Sequence, residues 1–127
     1  MAPYVAPELF VYDNSQPPPF SKKTDIYSLG VLFWELSSGY PPFKDRIEVG
    51  LIFHIINGTR EKEIPNTPSG YYDLYTACWN GNHEERPIIE DVYDKLNKLK
   101  NENNDMTTTV ENSKGIYTFN YFYDLIY

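Results

Sequence analysis

A chain of 127 residues with 41% apolar and 23% charged side chains has room for one small domain and the composition of a globular protein, not a disordered one. Eighteen acidic against eleven basic side chains leave a net charge of −7 with no Lys/Arg stripe, which excludes a sequence-independent grip on nucleic acid. A single cysteine excludes an internal disulfide framework, no apolar run reaches the roughly 18 residues of a membrane helix, and no basic segment leads into an apolar one at the N-terminus, so a cytoplasmic protein off the membrane is expected.

In chain order, Pro3 and Pro7 predict an extended first segment, because the residue before proline avoids the helical region. Pro17-Pro18-Pro19 reads as a stiff connector between elements. The strongest helix signal follows. Ser21 or Thr24 can cap it, Asp25 suits the positive end of its dipole, and Gly39 can close it. Between them Ile26, Leu29, Val31, Leu32, Phe33, Trp34 and Leu36 leave almost no polar face, which predicts a helix buried on every side at the centre of the core. Pro41-Pro42 stops it.

A second helix is predicted from Arg46 to Asn57, with Ile47, Leu51, Ile55 and Ile56 on one face and Gly58 as its stop. Pro65 and Pro68 mark a loop, and a third helix runs from Tyr71 to Trp79 with Leu74, Tyr75 and Cys78. Pro87 fits the first position of a fourth helix, in which Ile89, Val92, Tyr93, Leu96 and Leu99 recur at helical spacing up to Lys100. Its acids Glu90, Asp91 and Asp94 come early and its lysines 95, 98 and 100 late, as the helix dipole favours.

The expected body is therefore all-α, spanning residues 1–100. Residues 101–127 form a separate tail. In it Asn101, Asn103, Asn104, Asp105 and Thr107-Thr108-Thr109 read as a polar linker, and the odd positions from Tyr117 to Tyr127 alternate like a strand. With no partner strand in view, that segment is expected as an aggregation-prone edge or a disordered tail.

Several short constellations line up in order. Ala6-Pro7-Glu8 follows Tyr4, and Asp25-x-x-Ser28-x-Gly30 opens the apolar helix that carries Trp34-Glu35. Pro41-Pro42-Phe43 comes next, and Cys78-Trp79 precedes Arg86-Pro87. Over residues 2–100 this order and spacing resembles the distal part of the protein-kinase C-lobe, from the Ala-Pro-Glu triplet that ends the activation segment onward. The Cys-Trp and Trp-Glu pairs resemble the tyrosine-kinase-like branch. One departure stands out, since position 83 carries His where the family motif has Pro.

The resemblance implies roles. Glu8 would form a buried ion pair with Arg86, a guanidinium matching a carboxylate with two parallel hydrogen bonds. Asp25 would hold a catalytic loop by its backbone N–H groups, and Tyr4 would lie beside a peptide-substrate groove. The family uses ATP and magnesium to phosphorylate Ser or Thr, less often Tyr, of protein substrates in signalling. Phosphoryl transfer needs a glycine-rich loop, a Lys–Glu pair, a His-Arg-Asp loop and an Asp-Phe-Gly ligand. None of these occurs here, and the seven glycines never cluster as the loop requires. No catalytic, cofactor-binding or metal residue is therefore expected in this chain, which by itself is expected to be inactive.

Other residues read blandly. Glu8 and Asp25 have structural rather than acid–base roles. Cys78 sits beside Trp79 on an apolar face with no histidine at a supporting spacing, so it reads as core and not as a nucleophile. His54 and His83 belong to no cluster with metal spacing. The Asn57-Gly58-Thr59 sequon is expected to be unused, and Tyr117, Tyr121 and Tyr123 are the exposed candidates for phosphorylation. Two functional classes stay open. The chain is part of a protein kinase, or it is a non-catalytic, pseudokinase-like module that docks a protein substrate or a partner kinase through the helix from Arg46 to Asn57. A central helix that lacks part of its family's cover also predicts a marginally stable monomer, since each uncovered large side chain forfeits about 1.5–3 kcal/mol against a total of about 5–15 kcal/mol.

Overall fold

A computed structural model describes residues 1–11, 21–46, 48–102, 107–112 and 115–120. The connector at Pro17-Pro18-Pro19, Ile47, the linker residues 103–105 and the tail tyrosines 121, 123 and 127 lie outside the described residues. Four helices make the body: α1 (Lys22–Ser38), α2 (Glu48–Ile56), α3 (Ser69–Cys78) and α4 (Ile89–Glu102).

The first segment is not extended throughout. Ala2–Tyr4 and Pro7–Leu9 each form a 3₁₀ turn with proline in the first turn, where the missing N–H costs nothing. Ala6, just before Pro7, keeps the extended backbone that proline demands.

Ser21 caps α1, its side chain accepting from the Lys23 N–H at 3.2 Å. Thr24, the other candidate, instead turns its hydroxyl back onto the Ser21 carbonyl at 2.7 Å. Gly39 ends the helix at φ +72°, and its N–H closes on the Glu35 carbonyl at 2.9 Å. At α2 the stop is a Schellman pair. The Gly58 N–H reaches the Ile55 carbonyl and the Thr59 N–H reaches back to His54, with Gly58 at φ +86°.

α1 crosses α3 at Gly30. A Cβ there would stand 2.7 Å from the Cys78 Cβ and 2.8 Å from the Trp79 nitrogen, so only glycine lets the two backbones meet. Ile26, Tyr27, Val31, Phe33 and Trp34 are buried at this contact, together with Tyr71, Leu74, Tyr75, Cys78 and Trp79 from the α3 side. Two hydrogen bonds lock the packing. The Tyr71 hydroxyl donates to the Phe33 carbonyl at 2.9 Å, and the Trp34 indole N–H to the Lys62 carbonyl at 2.8 Å. Leu51 and Ile55 of α2, and Val92 and Leu99 of α4, complete the core.

Three expectations are corrected. α1 is not buried on every side, since Leu32 is 43% and Leu36 50% exposed while Leu29 is half-buried. Apolarity all round a helix shows that it can be covered everywhere, not that this chain supplies the cover. Pro87 lies two residues before α4 instead of in its first turn, and Ile89 and Tyr93 face out although they share the period of Val92 and Leu99. The strand-like tail has a partner. β1 (Thr107–Asn112) pairs antiparallel with β2 (Gly115–Asn120), and Thr107–Thr109, read as linker, belong to that hairpin.

Candidate functional site

The segment before α1 and the loop before α4 are joined by one ion pair. Arg86 donates through Nη1 to Glu8 Oε1 at 2.7 Å and through Nη2 to Oε2 at 2.8 Å, with its side chain fully buried. Two further guanidinium N–H groups are also placed. Nε meets the Asn80 carbonyl at 2.8 Å, and Nη1 also meets the Lys23 carbonyl at 2.9 Å. Lys23 returns the contact, its Nζ donating to the Arg86 carbonyl. A buried charge is tolerable under these conditions, paired and hydrogen-bonded through all three of its nitrogens. Burial pushes the Glu8 carboxyl up, but the Arg86 hydrogen bonds and charge and a backbone N–H outweigh it, so Glu8 titrates below its ordinary value.

Tyr27 is the hub of the site. Two guanidiniums, those of Arg86 and Arg60, approach its ring, each 5.1 Å from the centroid. Burial raises the Tyr27 hydroxyl pKa and lowers that of Arg60, so the phenol stays neutral. Arg60 in turn ties two helix ends together. Its Nε donates to the Trp79 carbonyl at 3.0 Å just beyond α3, and its Nη1 to the Ile55 carbonyl in the last turn of α2 at 3.0 Å and to the Thr59 carbonyl past its stop at 2.8 Å. A cation at these two C-terminal ends also complements the helix dipoles.

The Tyr4 segment is pinned along α1. The Tyr4 hydroxyl donates to Glu35 Oε2 at 2.9 Å, and Ser28 donates to the Tyr4 carbonyl at 2.7 Å. Burial first, then the Glu35 carboxylate, pushes the Tyr4 hydroxyl up to about 12. Ala6 and Pro7 are buried beneath the segment and bring Glu8 to Arg86.

The structure thus gathers Ala6, Pro7, Glu8, Arg86 and Pro87 at one corner, Tyr4 and Ser28 beside it, and Gly30, Cys78 and Trp79 at the helix crossing. Trp34 points inward to Lys62. Asp25 stands apart. It is exposed on a groove of about 410 Å³ with Lys22, Ile26, Ser28, Leu29, Leu32 and Ile89. Burial pushes the Cys78 thiol up to about 12, so it has no nucleophilic character at neutral pH. His83 opens a 3₁₀ turn whose cap is Asn82, the Asn82 side chain accepting from the Glu84 N–H at 3.1 Å.

The sequence assigned no contact to Arg60, Tyr27, Lys23 or Glu35. The one signal available for Arg60 was its place two residues after the helix stop Gly58, where a cation can reach the last carbonyls.

The chemistry of the corner is mechanical. Both Glu8 oxygens are occupied by Arg86, so this carboxylate is no free base, and the site clamps an N-terminal segment onto a helical scaffold. A helical body clamped in this way defines the class, a helical lobe that holds the segment running over α1. Residues 1–96 match the family model for the protein tyrosine and serine/threonine kinase domain. The chain is 33% identical over 116 residues to a probable serine/threonine-protein kinase of Dictyostelium discoideum, covering 84% of this chain and 13% of that one. It is 32% identical over 96 residues to human mitogen-activated protein kinase kinase kinase 7, covering 72% of this chain and 14% of that one. With the Drosophila melanogaster tyrosine-protein kinase Abl it shares 30% over 110 residues, covering 85% of this chain and 6% of that one. The chain belongs to the protein kinase family. It spans no more than about a seventh of the length of these three relatives. Among the described residues, no helix is long and apolar enough to cross a membrane.

Proposed function

We propose that residues 1–100 are the distal helical part of a cytoplasmic protein kinase domain. That domain passes the γ-phosphate of ATP to serine or threonine of protein substrates in signalling, and this stretch alone neither binds ATP nor transfers phosphate. The observation that carries the reading is the Glu8–Arg86 clamp, which ties the Ala-Pro-Glu segment and, through Tyr4 and Ser28, its N-terminal neighbours onto α1. Such a clamp serves to present a substrate-side segment, while ATP and magnesium would be held by motifs that this sequence does not contain. Isothermal titration of the purified chain with magnesium and ATP tests it. A flat titration is expected, and saturable heat would overturn the inactivity.

A second reading, a pseudokinase-like docking module for a protein substrate or partner kinase, is favoured by α2, where Phe53 is 68% and Ile56 38% exposed. Leu51 on the same helix is 3% exposed, so a charge there would test folding and not docking. The Phe53→Asp variant leaves the core intact, and pull-downs that keep every partner in that variant would count against the docking reading.

A further inference from the structure

The hairpin has two unlike edges. β1 carries Glu111, whereas β2, Gly115-Ile116-Tyr117-Thr118-Phe119-Asn120, has no charged residue and no proline. Among the described residues each strand has the other as its one sheet neighbour, and the register from Thr107↔Asn120 to Asn112↔Gly115 runs without a bulge. One side of β2 therefore presents a regular row of N–H and C=O groups with no ladder partner among the described residues. Proteins that keep such an edge single place a lysine, a proline or a bulge on it. β2 has none of the three, and a two-stranded hairpin by itself is only marginally stable in water.

We propose that β2 is a self-association edge, on which the β2 strand of a second copy of this chain pairs antiparallel about a two-fold axis normal to the sheet. The charge pattern selects this occupant. Two β2 edges meet without like charges, whereas two β1 edges would bring Glu111 toward Glu111 of the other copy in a chain that already carries −7. The two-fold axis makes the contact isologous, one four-stranded sheet that closes on itself.

Sedimentation equilibrium of the full chain over a concentration series tests the proposal. The expected result is a reversible monomer–dimer equilibrium between 14.9 kDa and twice that mass. The Thr118→Lys and Thr118→Glu variants should each dimerise roughly tenfold more weakly, because like charges then face each other across the new pair. Mixing the two should restore dimerisation, and Glu111→Lys, on the other strand, should leave it unchanged. Far-UV circular dichroism of each variant checks that the helical body persists. A chain that stays at 14.9 kDa throughout would overturn the proposal. So would a dimer that survives both position-118 variants but is lost on Leu32→Lys, which would place the contact on α1. Failure of the mixed variants to recover would overturn it as well.

Discussion

α1 has two sides made of similar residues and finished in different ways. On one, Tyr27, Val31 and Trp34 disappear under α3 and the two arginines. On the other, Asp25, Leu32 and Leu36 line or flank an open groove. Hydropathy along the helix does not separate them. The difference lies in what the rest of the chain supplies. Arg60 and Arg86 come from loops that fold back over Tyr27, whereas among the described residues Ile89 at the start of α4 is the one residue from another element that lines the groove. The closed side is therefore where substitutions should be costly, and the open side is where they should be tolerated.

The largest effect should come from the clamp. Arg86→Ala leaves the Glu8 carboxylate without its partner and the Asn80 and Lys23 carbonyls without the donors Arg86 gave them, and should cost about 3–5 kcal/mol in urea unfolding. A loss below one kcal/mol would mean that the corner is already solvated. Next is the helix crossing. Gly30→Ala drives a methyl against the Cys78 Cβ and the Trp79 backbone, with an expected loss of about 1–3 kcal/mol. Gly50→Ala is its control, because a Cβ there has open space, and the alanine should stabilise α2 by about 0.5–1 kcal/mol.

Acid should separate the two sides as well. Glu8 titrates below its ordinary value of 4.5, burial being outweighed by Arg86. A depressed folded pKa means that the unfolded state binds the proton first. The pair's contribution is thus fully present above the ordinary value and lost as pH falls through the lower folded one. Unfolding midpoints measured over that acid range should drop in the native chain, and Glu8→Gln should remove that part of the slope. The smallest effect is expected on the open side. Leu32→Glu should shift the stability of this chain by no more than about 0.5 kcal/mol, as for an ordinary surface position. A large loss would show that the groove is covered in solution and would break the comparison.

Much of the architecture was legible in advance. Gly39 and Gly58 act locally, as left-handed stops, so the C-terminal ends of α1 and α2 could be read to within a residue, while the start of α1 stayed open between Ser21 and Thr24. The pairing of Glu8 with Arg86 was legible only through resemblance, since 78 residues separate them and no local rule connects them. Arg60 and Tyr27 were missed for the same reason. A cation near a helix stop and an aromatic on an apolar helix look ordinary until folding stacks one on the other. The partner of β2 was missed because Thr107–Thr109 read as a polar linker, although threonine is also a strand former.

By itself the sequence determined the helices, their stops, the inert core thiol and the family, because these follow from periodicity, backbone freedom and short ordered motifs. Tertiary structure alone decided which side of α1 is closed, which arginine caps which helix, and why Gly30 is glycine. Those outcomes depend on distances between segments far apart in the chain, and the physics that sets them, burial and the satisfaction of buried polar groups, acts only once the segments have met.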